Sequence, residues 1–260
     1  MFTGQGTELD PYLIGTAVEL AALAVYVNAG TAPYASAGKH YLMTNDIDLS
    51  DYQSGAGWVP IGYYSNKFQG VFDGNNHKIT GLKINRSADF IGLFGYIDGV
   101  TIKNLGVEDV DISGSRDVGG IAGVNSTSTI TNCYSTGNIS GSDYVGGITV
   151  ANSDSTITNC CSLNLRLIRI SGNDTDFYRI SGTQTLTNNI AFNGMINPSG
   201  TTTWSPKGLN SVNGEDITKE QINADGTLDG RFLPQNGWTV QNGRLPGLFG
   251  QTVEMPEHLR

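Results

Sequence analysis

The sequence predicts an all-β protein built as a solenoid, and three observations carry that reading. First, only 15% of its 260 residues are charged and 35 are Gly, with Ser, Thr and Asn frequent, which suits short strands joined by tight turns. Second, the stretch S-T-I-T-N-C occurs at 128–133 and again at 155–160, each copy preceded by V-G-G-I, at 118–121 and 145–148. Third, apolar and polar residues alternate within each unit, as at Val100, Ile102, Leu105 and Val107 or at Ile130, Cys133 and Ile139. A fixed period in the twenties without helical periodicity is the pattern of stacked β coils, in which each strand pairs in parallel with its equivalent about 4.8 Å away.

From the N-terminus, TAVELAALAVYVNAG (16–30) predicts a helix over about 16–29 that caps the open end of the stack. Thr16 and Glu19 form a capping-box pattern, Leu20, Leu23, Ala24 and Val27 share one face, and Gly30 is a stop. HYLMTNDIDLS (40–50) and FQGVFDGNNHKITGLKI (68–84) predict irregular coils, with Ile79 and Leu82 placed one 23-residue step before Ile102 and Leu105. Residues 89–107, 117–135 and 144–162 align as repeats with steps of 28 and 27, superposing Gly92, Gly120 and Gly147. TQTLTNNIAF (183–192) continues the pattern, while the Gly-rich half has become DFYRISG (176–182), so the repeat degenerates toward an end near 190. The expected organisation is a capped solenoid over 1–200 and an irregular C-terminal cap over 201–260. A short helix is expected in 214–224, packing on Trp204, Trp238, Leu245 and Phe249, and VEMPEHLR (253–260) is expected as a linker.

A net charge of −9 with 15 Lys and Arg provides no basic stripe for nucleic acid or an anionic membrane. No apolar run approaches the roughly 20 residues of a membrane span, and no signal segment opens the chain, so a targeting signal is expected to lie outside it. Three cysteines do not make a disulfide framework or a zinc site. Cys133 and Cys160 fall with Leu105 at a core position and are expected as buried free thiols. Cys161 falls at a polar position and is expected to be partly exposed.

With G-G-I-A-G (119–123), STITNCYSTGNISG (128–141) and GLFGY (92–96) in place, the chain resembles the GLUG-repeat proteins of bacteria. The stretches preceding the repeats, YLMTNDIDLS, WVPIG (58–62) and FQGVFDGNNHKITGL (68–82), are similar to the leader that introduces such repeats in large secreted or surface-attached proteins. The resemblance covers residues 6 to about 190. It implies a right-handed parallel β-helix of the pectin-lyase-like kind, an extracellular or cell-surface setting and an adhesin-like role, and it implies no established catalytic residues. The third repeat departs from the pattern at Val150.

Several columns of the alignment are candidate sites. Asn104, Asn132, Asn159 and Asn188 stack as amides that read as a structural ladder rather than as ligands. Asp89, Asp117 and Asp143 recur near one corner, as solvated turn residues or as a weak calcium site, the one cofactor considered. Asp109 and Asp111 pair within one coil but meet Asn138 in the next, which disfavours the paired carboxylates of a glycan-cleaving enzyme. His40, His77 and His258 share no repeat position. Thr129 and Thr131, Thr156 and Thr158, and Thr185 and Thr187 form outward ranks of the kind an ice-binding surface needs, interrupted by Lys103. Threonine is also an ordinary strand residue. Tyr52, Trp58, Tyr63 and Tyr64 cluster in a Gly-rich coil, suited to stacking on a sugar or anchoring a partner. The expected function is a non-catalytic, monomeric surface module that binds a glycan or a host protein, or acts as a spacer. A polysaccharide-cleaving enzyme and an ice-binding protein are the alternatives.

Overall fold

The computed structural model describes residues 2–151, 154–172, 176–182, 185–247 and 252–260. The chain winds into a right-handed parallel β-solenoid of about seven turns. Its largest sheet runs from Tyr12–Ile14 through His40–Met43, Val71–Asp73, Thr101–Ser113, Thr129–Gly141, Cys161–Ser162 and Ile190–Phe192 to Glu215–Ile217. Two smaller parallel sheets close the coil, one containing Phe94–Asp98 and Ala122–Ser126, the other Arg116–Gly119 and Asp143–Gly146.

Parallel register stacks like on like. Tyr12, Tyr41, Phe72, Ile102, Ile130, Ile157 and Leu186 form one continuous inward column. Each is buried, so no single coil has to enclose a core alone. The coils come this close only where side chains are missing: a Cβ on Gly120 would stand 2.3 Å from Ser135 Oγ, and one on Gly147 2.0 Å from the Arg179 carbonyl. The irregular coil differs from the sequence expectation. Phe72 is the register partner of Ile102, and Ile79 pairs with Val107, so the step is 30 and 28 residues rather than 23. The apolar match of Ile79 to Ile102 placed the coil one corner off.

The cap helix α1 spans Ala17–Asn28, with Thr16 accepting from the Glu19 amide and Leu20, Leu23, Ala24 and Val27 buried. Glu19 reaches past the cap residue to the amide of Gly15 at 2.8 Å. At the other end the glycine column is replaced by Arg179, which is fully buried. Its guanidinium donates to the carbonyls of Asn213, Phe192 and Gly214 and pairs with Asp216 at 2.8 Å, so the last coil closes on a charge whose donors are satisfied. Residues 214–224 divide between the last strand, Glu215–Ile217, and helix α2, Lys219–Asp225, opened by a Thr218–Gln221 capping box.

Beyond α2 the chain turns back along the outside of the main sheet. Arg231 donates to the Asn188 carbonyl, Phe232 and Trp238 pack on Tyr134 with ring centroids at 5.6 and 6.4 Å, and Asn236 accepts from Asn76. Residues 253–260 are not a linker: Val253–Glu254 pairs antiparallel with Arg244–Leu245, and Leu259 is buried. Of the expected packing residues, Trp204, Trp238 and Leu245 are buried, and Phe249 lies outside the described residues.

This return segment explains Cys161, which was expected to be partly exposed. Its side chain points outward, in register with Gly106, Tyr134 and Ile190, yet it is fully buried because the segment covers that column. Cys133 and Cys160 are buried inside, and all three are free thiols. Burial pushes the Cys133 and Cys161 thiols up, which disfavours the reactive thiolate. In the native chain at pH 8, all three thiols are expected to resist iodoacetamide. Trp238→Ala, at a cost of about 3–5 kcal/mol if the cavity does not collapse, should loosen the segment and let Cys161 react before Cys133 and Cys160. Peptide mapping by mass spectrometry reads the order, and simultaneous labelling of all three would mean that segment and solenoid open together.

Candidate functional site

The asparagine column is a continuous hydrogen-bonded ladder. Asn188 donates to Asn159 at 2.7 Å, Asn159 to Asn132 at 3.3 Å and Asn132 to Asn104 at 3.2 Å. The ends are charged: Asn104 donates to the Asp73 carboxylate at 3.0 Å, and Asn188 accepts from the Arg231 guanidinium at 2.9 Å. All four asparagines hold φ between 53° and 55°, the left-handed corner that asparagine tolerates better than most residues. Every ladder amide is engaged by a neighbour, so the column is scaffold.

The acidic corner differs from expectation. Ile91 pairs with Val118 and Asp143 with Arg116, so Asp89, Arg116 and Asp143 share one column, and Phe90, Asp117 and Tyr144 share the next. The step here is 27 residues, whereas the alignment on Asp89 and Asp117 assumed 28. Arg116 stands 3.5 Å from Asp143 and 3.7 Å from Asp117 and lies over the Tyr144 ring at 4.7 Å, filling the place a cation would take. Burial pushes the Asp117 carboxyl up to about 6 against the pull of Arg116, with Asp89 adding to the rise. Among the described residues, no group of three or more His, Cys, Asp or Glu is placed to hold a metal ion.

The four aromatics do not form one patch. Trp58 is 2% exposed, its indole N–H donating to the Leu93 carbonyl, so it is a core residue and presents no outer face for stacking. Tyr52 and Tyr63 join Trp58, Val59, Val25 and Ala24 around an apolar cavity of about 340 Å³ beneath α1. Tyr64 turns away from it. The residue is 70% exposed, and its ring stacks on Phe90 at 6.3 Å, edge-on to Tyr96 at 6.0 Å. Beside it lies a polar cleft of about 410 Å³ between the end of α1 and the 63–69 loop, lined by Ser65, Asn66, Lys67, Gln69 and Asp98. Lys67 and Asp98 form an ion pair at 3.1 Å, and Thr127 donates to the second Asp98 oxygen at 3.0 Å. Sequence reading missed this pair because Phe68 pairs with Ile97 across an irregular 29-residue step. The signal was there in the opposite charges standing on either side of that step.

Two further sets of groups face outward. A cleft of about 710 Å³ between the tail and the solenoid is lined by Asp109, His258, Glu254, Glu257 and Arg260. Asp111 has Lys83 and Asn138 as register partners, a cation and an amide rather than a second carboxylate. Thr101, Thr129, Thr156 and Thr185 stand in one column, and Lys103, Thr131, Thr158 and Thr187 in the next, with Lys103 paired to Asp73 at 3.2 Å. Beneath the return segment, Glu108 accepts from the Tyr134 hydroxyl and stands 3.5 Å from Lys78. That carboxyl is buried, although it lies in the Thr101–Ser113 strand of the main sheet.

The V-G-G-I and S-T-I-T-N-C unit matches a known family model, "The GLUG motif", over residues 114–140. Residues 114–140 carry that motif. The chain is also similar to a candidate Gly-rich membrane protein of Evansella cellulosilytica, 36% identical over 135 residues, covering 50% of this chain and 15% of that protein. Halomucin of Haloquadratum walsbyi is 33% identical over 48% of this chain and 1% of its own length. An immunoglobulin A1 protease of Streptococcus sanguinis is 31% identical over 38% of this chain and 5% of its own length. The chain thus spans at most 15% of these relatives. In structure it is similar to a candidate immunoglobulin A1 protease from Bacteroides ovatus, with a TM-score of 0.52 at 17% identity over 97% of this chain and 94% of the other. That likeness shows the fold, including the C-terminal part outside the GLUG repeat. No helix among the described residues is long and apolar enough to cross a membrane.

Burial pushes the Glu108 carboxyl up to about 7 from 4.5, against the opposing pull of Lys78 and Tyr134. A carboxyl with a raised folded-state pKa contributes stability that is fully present below pH 4.5 and lost as pH rises through about 7. Glu108→Gln removes that titration, so the variant should gain stability relative to wild type between pH 4.5 and 8. Urea midpoints at the two ends of that range test this, and a constant difference would contradict it.

Proposed function

We propose that the chain is an extracellular, non-catalytic β-helix module of a surface protein that binds glycans. The observation that carries this reading is Tyr64, an exposed ring held against Phe90 and Tyr96 on a rigid coil beside a cleft of hydroxyl-binding groups. A stacked solenoid fixes such groups at set intervals without any ordering cost on binding. The surface setting is supported by relatives described as a membrane protein and as halomucin. The protease names belong to a relative of which this chain covers 5% and to a structural neighbour at 17% identity. At Asp111 the register partners are a cation and an amide, so that position lacks the second carboxyl group which most glycoside hydrolases place about 5–10 Å away.

A second reading, ice binding, is favoured by the threonine columns, whose neighbours stand about 4.8 Å apart across coils and about 7 Å apart along a strand. It predicts thermal hysteresis that Thr158→Lys abolishes, measured by nanolitre osmometry, and zero hysteresis in the wild type ends it. The glycan reading predicts that native gels containing plant and host polysaccharides retard the chain, with no new reducing ends or unsaturated products from the same sugars. New ends would overturn the non-catalytic assignment.

A further inference from the structure

Resting on the glycan reading, we infer that the cleft between the C-terminal end of α1 and the 63–69 loop is the sugar site, and that it takes a neutral pyranose. The Lys67 ammonium and Asp98 carboxylate meet at 3.1 Å at its wall. An ion pair of this kind offers a donor and an acceptor side by side. A sugar hydroxyl, which donates and accepts at once, engages both, whereas an anion meets Asp98 and a cation meets Lys67 as a like charge. The chain's net charge of −9 adds long-range repulsion against acidic polysaccharides.

The pair is held in place from behind. Lys67 Nζ lies 5.0 Å from the Tyr96 ring centroid and 5.9 Å from that of Tyr64, while Thr127 in the next coil fixes Asp98. Asn66 is anchored by donating to the Asn28 carbonyl at the end of α1, and the Asn28 side chain accepts from the Gly62 amide at 2.8 Å, so helix and loop form one wall. Ser65 and Gln69 are exposed at the mouth. Bound hydroxyls therefore meet positioned partners, with Tyr64 beside them to cover a sugar face. Two of the other cavities, the one under α1 and the one beside the tail, fit a sugar less well. The one under α1 is lined almost wholly by apolar groups, and in the largest one His258 is bonded to the Leu163 carbonyl and Arg260 to Glu254 and the Met255 carbonyl.

The test is affinity electrophoresis of the 260-residue chain in gels containing galactomannan, xyloglucan or dextran as neutral probes and polygalacturonate as the acidic one. At least one neutral glycan should retard it. Tyr64→Ala and Asp98→Asn should each weaken that retardation about tenfold, the size of losing one well-placed contact. Tyr52→Phe, in the apolar cavity, should leave it unchanged. Tyr64 is largely exposed, so its variant is expected to keep the wild-type urea midpoint and report on binding alone. Retardation by a neutral glycan that both variants retain would overturn the cleft while leaving glycan binding in place. Retardation by polygalacturonate alone would overturn the neutral class, and no retardation in any gel would overturn site and glycan reading together.

Discussion

The solenoid depends on one repeated constraint, a left-handed corner held by an asparagine that bonds to its counterpart in the coil before. Each of Asn104, Asn132, Asn159 and Asn188 takes a backbone conformation that bulkier residues adopt at a cost, and each uses its amide to tie adjacent coils. One such bond contributes only about 0.5–1.5 kcal/mol. Its larger effect is on register. With the corner fixed, the Ile102, Ile130 and Ile157 strands can pair in only one alignment, and a slip by one residue would turn every core side chain outward. The ladder is also polar along its length, with every amide donating toward the N-terminal coils. The Asp73 carboxylate accepts from the last donor, Asn104, and the Arg231 guanidinium donates to the last acceptor, the Asn188 side-chain oxygen, so neither end is left unsatisfied.

Arg231 links this scaffold to the return segment. The same side chain that ends the ladder brings the C-terminal residues onto the main sheet, where Phe232 and Trp238 close over Tyr134 and shield Cys161 and Glu108. A face that the repeat alone would leave to solvent becomes a second, outer core. The two ends are closed differently. An apolar helix face covers the first coils, and the buried Arg179 with its carbonyl partners and Asp216 closes the last. Both devices protect strand edges that would otherwise invite pairing with other chains.

Over the repeat coils, glycines let neighbouring strands approach closely and the outward threonines stand in register. Near α1 the coils carry longer connections, and the 63–69 loop meets the helix end to enclose a polar cleft on one side and an apolar cavity on the other. The proposed sugar site lies at this junction of cap and solenoid, on groups that neighbouring coils hold in place.

The sequence by itself determined the elements that local rules govern. The 27-residue repeat, the inward isoleucines, the asparagine ladder and the buried face of α1 all follow from periodicity and from residues suited to one backbone state. Tertiary structure decided what depends on steps the repeat does not fix. A one-residue difference between the 27- and 28-residue steps put Arg116 among the acids of the corner, and a 29-residue step, setting Phe68 opposite Ile97, brought Lys67 diagonally to Asp98. It also separated Tyr64 from Tyr52, Trp58 and Tyr63, which adjacency in the chain had grouped. Alternation assigned Cys161 to the outward side, and its burial then depended on what a segment some 70 or more residues further along the chain covered. Period and parity are local and legible. Contact between an outer face and a distant segment is not, because only the folded chain brings them together.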